Sequence, residues 1–364
     1  MVVGLKRRIN MKVCLIGDTH AGARNDQIVF NNYFIRFYQE VFFPYLDKNG
    51  IDTIIHLGDV FDRRKYVNFY TLNSWRKNVF EVLNSRYKTL IIQGNHDLYF
   101  KDTNDVNSLE ECLRGYDNIK IIDKPTTLEF DGTNILLVPW LHRSNEEACN
   151  VKMEKTKAQI VMGHFDIIGF QMYEGLPNFD QGFKPEAFQR FDSVFSGHYH
   201  HRSSSDNIHY LGAPYEMVWS DYEDPKGFHI FDTTTREVQF IQNPLHIFEK
   251  IVYNDTNKTY EDLNIQYNLS KYRDCYVKIV IECKNNQGLF DQFLESLYKE
   301  NPADVSIVEA VLDSDISSDK IDQAKDTLTL LIEYVEGLNI AEENKNPLIE
   351  LLRNLYMESQ NIDV

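Results

Sequence analysis

Five short glycine-led clusters place Asp, Asn and His residues along the first 200 positions: Gly17-Asp18-Thr19-His20, Gly58-Asp59-Val60-Phe61-Asp62-Arg63, Gly94-Asn95-His96-Asp97, Gly163-His164 and Gly197-His198-Tyr199-His200. They supply carboxylate, amide and imidazole donors without a thiolate. Such a mixed oxygen and nitrogen set suits manganese, iron, zinc or magnesium in different degrees, and its wealth of imidazole argues against magnesium alone. Two divalent ions about 3.5 to 4 Å apart furnish both a strong nucleophile and a charge sink, as the hydrolysis of a phosphate ester requires.

The clusters are too far apart in sequence for one element to hold them, so the fold must converge them. Each follows a short apolar run rich in β-branched residues: Val13–Ile16, Thr53–Ile55, Thr89–Ile92, Ile160–Met162 and Val194–Phe195. Such runs predict strands buried on both faces. In open α/β sheets ligands gather beyond the carboxyl ends of the strands, so glycine turns there aim all five clusters into one region.

With these motifs the chain resembles the calcineurin-like metallophosphoesterases, whose order is Asp-x-His, Gly-Asp-x-x-Asp-Arg, Gly-Asn-His-Asp/Glu, Gly-His and Gly-His-x-His, over residues 11 to 231. The resemblance implies that Asp59 bridges two cations, that Asp18, His20 and His200 complete one, and that Asn95, His164 and His198 complete the other. It further implies that His96 stabilises the transition state and protonates the leaving oxygen, with Asp62 orienting it, and that manganese is the first choice of metal with magnesium the alternative. Asp18-Thr19-His20-Ala21-Gly22, Arg63-Arg64 and Gly212-Ala213-Pro214-Tyr215 resemble the SbcD type, the prokaryotic and phage nuclease subunit of double-strand-break repair. Archaeal and eukaryotic members carry His where this chain has Asp62, so the role of that His is not carried over. Arg63 and Arg64 are candidates for phosphate contacts, a structural ion pair being the competing role.

The net charge of -17 excludes a general basic nucleic-acid binder, and most of the acidic excess falls in residues 247–364. Five cysteines without Cys-x-x-Cys spacing point to reduced thiols, with Cys14 in core packing. No apolar run approaches the roughly 20 residues of a membrane span, and Met1–Asn10 lacks a signal-like apolar stretch. A cytoplasmic protein with no membrane association is expected.

The expected fold class is α/β: a two-sheet metallophosphoesterase sandwich flanked by helices, with a small α+β capping domain and C-terminal helices. The expected boundaries are an N-terminal extension over 1–10, the catalytic domain over 11–246, the capping domain over 247–318 and a partner-docking segment over 319–364. Apolar spacing predicts helices over 30–45, ending near Pro44, and over 67–83, with Phe69, Leu72, Trp75, Val79, Phe80 and Leu83 on one side. The second helix either packs on the sheet or joins a homodimer seam, as the resembled family implies. Three strands, 208–211, 228–231 and 238–241, are expected to build a second sheet, and the aromatic stretch 169–191 a rim over the site. The polar stretch 254–268 reads as a hinge. A β-α-β unit follows, then two amphipathic helices over 321–338 and 347–357, for docking a partner or packing as a hairpin on the capping domain. His56, His142, His201 and His229 are kept out of the metal shell.

What the resemblance implies for function is a metal-dependent DNA nuclease, with exonuclease and endonuclease activities, in recombination, repair and replication. Its expected partners are DNA, a second copy of itself and an SbcC-like coiled-coil ATPase. A small-molecule or protein phosphatase with the same metals, or a DNA-tethering scaffold, are the alternatives, because a fold does not fix its substrate.

Overall fold

The computed structural model describes residues 12–172 and 182–309, together with Val335, Lys345, Leu348, Ile349 and Leu352. The chain divides into two compact units, one up to Leu245 and one from His246.

In the first unit, β1 (Lys12–Ile16), β2 (Thr53–His56), β3 (Lys88–Ile92) and β4 (Ile119–Ile122) form a parallel run. β5 (Thr126–Phe130), β6 (Thr133–Val138), β7 (Ile160–His164), β8 (Ser193–Gly197), β9 (Ser203–Ser205) and β10 (Ile208–Tyr210) form a second sheet in the order β5-β6-β7-β8-β10-β9. The chain then returns to the first sheet with β11 (Gly227–Asp232) and β12 (Val238–Gln242), giving the order β12-β11-β1-β2-β3-β4. Only 208–210 of the three expected strands therefore lies in the second sheet. β11 pairs antiparallel with β1, whose second edge the parallel run leaves open.

Alternation along the strands sorts two faces. Val13, Leu15, Ile55 and Ile92 meet Ile135, Leu137, Ile160, Met162 and Phe195 in the core between the sheets. On the outer side of the second sheet, Leu136, Val138 and Val161 pack with Cys149 and Met153 of the helix Glu146–Lys155.

The expected helix over 30–45 runs on through Pro44 to Asn49, in segments Ile28–Arg36, Phe37–Phe42 and Phe43–Asn49. The middle segment is π-helical, and the Phe43 amide bonds the Tyr38 carbonyl five residues back. This wider turn accommodates a proline ring that would clash with the carbonyl four residues earlier in a regular helix. The helix over 67–83 is observed as Phe69–Trp75, a π turn Arg76–Phe80, and Glu81–Arg86. Trp75, Val79, Phe80 and Leu83 are buried as expected, but Phe69 is 88 % exposed.

The second unit holds a parallel sheet of β13 (Phe248–Asn254), β14 (Tyr276–Cys283) and β15 (Asp304–Glu309), in that order. Ile251, Tyr253, Val277 and Ile279 pack against Phe290, Phe293 and Leu297 of the helix Gln287–Lys299. The stretch read as a hinge contains the helix Tyr260–Tyr267, closed at its start by a capping box in which the Thr259 side chain accepts the Asp262 amide and Asp262 accepts the Thr259 amide. The two C-terminal helices expected from the sequence lie outside the described residues, apart from the five named above, which are helical.

Candidate metal centre

The five clusters stand at the carboxyl ends of β1, β2, β3, β7 and β8, and their backbones are laced together. The Asp18 amide bonds the Gly58 carbonyl at 3.0 Å, and the Thr19 and His20 amides share the Asp59 carbonyl at 3.0 and 3.1 Å. Glycine is required at two of these crossings. A Cβ on Gly94 would lie 2.3 Å from the Asp59 amide nitrogen, and one on Gly58, at φ +96°, would lie 2.8 Å from Gly94 Cα. The proposed ligands carry strain of their own: φ is 53° at Asp18, 41° at His20, 57° at Asp59 and 88° at His198. Non-glycine residues in this region persist only where the surroundings enforce it, often at functional sites.

The side chains gather as two groups about Asp59. Donor atoms of Asp18, His20 and His200 all lie within 4.8 Å of one another, as do those of Asp59, His164 and His198. His164 Nε2 lies 3.2 Å from Asp59 Oδ2 and 2.9 Å from Asn95 Oδ1, and His20 Nε2 lies 3.7 Å from the same Asp59 oxygen. His164 Nδ1 faces the Leu57 carbonyl at 2.7 Å, which places its proton on Nδ1 when neutral and leaves Nε2 to coordinate. All seven sequence-named ligand positions thus converge in one region.

The residues fit divalent cations. Asp18 is fully buried, its Oδ1 accepts the His198 amide at 2.8 Å, and its Oδ2 has no hydrogen-bond partner. His20 and His200 point Nε2 atoms at each other across 3.1 Å. Imidazole nitrogens and carboxylate oxygens crowded together in this way suit a divalent cation between them. Without one, protons do the neutralising. Burial is the largest influence on the Asp59 carboxyl and would raise its pKa, but His164 and His96 outweigh it and hold the group well below its ordinary value. Burial opposes charge on His20 and His164 too, yet neighbouring carboxylates lift both to about 9. Asp18 is pushed up to about 7, first by burial. His198 and His200 are held well below the usual imidazole range, chiefly by burial.

His96 stands beside this pair of groups. Its amide bonds Asp59 Oδ1 at 2.8 Å, and its Nδ1 meets the backbone carbonyl of Asp62 at 2.5 Å. The Asp62 carboxylate faces His20 Nδ1 at 3.3 Å. His96 is therefore met by the Asp62 main chain, while the carboxylate that was expected to assist it is turned to His20. His20, Asp62 and His96 also form a third group of donors within 4.8 Å. Arg63 pairs with Asp26 at 3.2 Å and also bonds Asn25 and Tyr66.

The four histidines kept out of the shell are accounted for by other contacts. His56 accepts the Gly58 amide at Nδ1 and meets Thr19 Oγ1 through Nε2, while burial lowers it to about 3. His142 meets the Asp102 carbonyl, His201 pairs with Asp224 at 3.1 Å, and His229 lies against Phe240. In the stretch read as an aromatic rim, residues 173–181 lie outside the described residues, and Phe170, Phe188 and Phe191 are buried in the core.

Sequence reasoning passed over Asp97. Fully buried, it accepts the amides of Asp59 at 3.0 Å, Val60 at 3.0 Å, Phe61 at 3.3 Å and Gly94 at 2.9 Å, so one carboxylate ties the Asp59 loop to the Asn95 loop. Its position as the acid closing a cluster whose other polar members had roles was the available signal. Trp140, whose ring centroid is 5.0 Å from that of His198 and 5.8 Å from that of His164, had no such signal.

Two six-stranded sheets with this constellation at their carboxyl ends define a metallophosphoesterase sandwich. Residues 11–202 match the calcineurin-like phosphoesterase family, and the chain belongs to it. It is 31 % identical to Exonuclease subunit 1 of Enterobacteria phage T4 over 353 residues, covering 96 % of this chain and 99 % of that one. It is also 24 % identical over 274 residues to Putative phosphoesterase 078R of Invertebrate iridescent virus 3, covering 73 % and 71 %. Among solved structures, a novel archaeal phosphodiesterase is similar at 14 % identity and a TM-score of 0.33, covering 64 % of this chain and all of that one. No helix among the described residues is long and apolar enough to cross a membrane.

Proposed function

We propose that this protein is a DNA nuclease that hydrolyses phosphodiester bonds with two divalent cations, manganese in first place, as a subunit of an ATPase–nuclease complex in recombination, repair and replication. The observation that carries the reading is the convergence of two donor groups on Asp59 with His96 beside them. The T4 relative, named as an exonuclease subunit and covered over almost its whole length, supports DNA as substrate.

In this reading Asp18, His20 and His200 hold one cation, Asn95, His164 and His198 the other, and Asp59 both. Bound there, the pair supplies an activated water and neutralises charge on the phosphate. Asp59 and the Leu57 carbonyl orient His164. His96, kept in place by the Asp62 carbonyl, presents Nε2 to the leaving oxygen and hands it a proton. Burial, the first influence on His96, lowers its pKa, and the negative charge of a phosphate beside the ring would raise it again and favour the protonated form. Arg63, pre-set by Asp26, and Arg64 take the flanking phosphates.

Exposed Phe69 and Tyr70 support a homodimer seam on the helix Phe69–Trp75. The C-terminal segment is assigned to docking the coiled-coil ATPase.

The test is digestion of end-labelled duplex DNA with manganese, beside turnover of a phosphomonoester. Nucleotide release that disappears in His96→Ala supports the nuclease. Phosphomonoester turnover with inert DNA would replace it by a phosphatase.

A further inference from the structure

The segment from Gly212 to Lys226 grips both loops that carry Asp18, His20 and His200. Tyr215, fully buried and stacked on Phe34 at 4.1 Å, donates its hydroxyl to the carbonyl of Thr19, between two of those ligands. The carbonyl of His200 receives the Ala213 amide at 3.0 Å and Lys226 Nζ at 2.9 Å. Gly212, at φ +72°, lies so close that a Cβ there would stand 3.0 Å from that same carbonyl oxygen.

Lys226 is itself held by Asp221 Oδ1 at 2.8 Å and Asp224 Oδ2 at 2.7 Å. The other Asp221 oxygen takes the Met217 and Val218 amides, and the other Asp224 oxygen meets His201. All three charged groups are buried. An apolar trio would serve packing at lower desolvation cost. What an apolar trio cannot do is hold a carbonyl. The loop carrying His164 has different supports: the Phe165 amide bonds Ser196 Oγ at 2.9 Å, and Tyr210 donates to the Phe165 carbonyl at 2.9 Å.

We propose that Gly212–Lys226 is a brace for one half of the metal centre, in which Tyr215 and Lys226 are positioning residues that set the affinity of the Asp18–His20–His200 cation without touching it. The proposal rests on the two-cation reading above. Outer contacts that fix metal ligands are typically worth 10- to 100-fold in affinity. Tyr215→Phe and Lys226→Met should therefore weaken the Asp18–His20–His200 site by about 10- to 100-fold and the other site much less, since that one shares only His198 with the braced loop.

The full-length protein, stripped of metal, is titrated with Mn2+ and followed by calorimetry and electron paramagnetic resonance. Thr133→Val serves as the control, since it removes a buried hydroxyl bonded to the Thr233 carbonyl at the amino end of β6. The wild type and the control should reach the spectrum of a spin-coupled pair. The two variants, folded by circular dichroism, should show the six-line spectrum of an isolated ion at the same concentration and regain the coupled spectrum at higher Mn2+. Variants that titrate like the wild type, that lose both sites equally, or that are matched by Thr133→Val overturn the brace while the two-cation reading stands. A wild type that never forms a coupled pair overturns both. Should Lys226→Met fail to fold, Tyr215→Phe decides, because it keeps the stacked ring and loses one oxygen.

Discussion

Asp59 and Asp97 are both buried acids within the same pair of loops, yet they differ in what faces them. Asp97 is satisfied by four amides, whereas Asp59 is surrounded by imidazoles. Asp97→Ala leaves four buried donors unpaired. At about 1 to 3 kcal/mol for each unsatisfied group, even partial relaxation leaves a loss of more than about 3 kcal/mol. Urea denaturation of the metal-free protein should show it, and an unchanged midpoint would refute the structural role. Asp59→Ala should instead leave a folded protein that binds neither cation, because no other residue is proposed to bridge. Two ions found by metal analysis of that variant would contradict the bridge. Ligand types were legible in the sequence because coordination chemistry restricts them to few residues. The four-amide role of Asp97 was not, since it depends on two loops approaching so closely that Gly94 and Asp59 leave no room for a side chain.

Strands were the legible elements, as short β-branched runs before each cluster have one economical burial. Helices were legible in their buried stripes but not in their ends or windings. Pro44 reads as a stop until a π turn opens room for its ring, and no local pattern announces that turn. The return of β11 to pair antiparallel with β1 is likewise a property of an open sheet edge, which lies far from β11 in sequence. Phe69 was placed on the buried stripe, yet it projects outward at 88 % exposure while Thr71 takes the inward position. If this helix is the dimer seam, Phe69→Glu should convert the dimer to a monomer in light scattering. Its folding stability should shift by no more than about 0.5 kcal/mol, as for an exposed side chain. A dimer that persists at micromolar concentration would move the seam elsewhere.

At the scale of the molecule, the two units have separate cores. The core of the second is built by β13, β14 and the helix Gln287–Lys299 from residues after His246 alone. All the proposed metal ligands precede Leu245. Cations that bind only the folded form add stability by mass action, about 2.7 kcal/mol at one hundred times the dissociation constant for a single site. That stabilisation belongs to the first unit. In the metal-free first unit, Asp18 and Asp59 are buried close together, and burial and the Asp59 charge both push the Asp18 pKa up, so removal of the ions exposes this cost directly. Scanning calorimetry with and without a chelator should therefore shift one transition downward by several degrees and leave a second in place. A single transition that moves as a whole would mean that the units unfold together, and no movement at all would mean that the centre holds its cations too weakly to stabilise the fold.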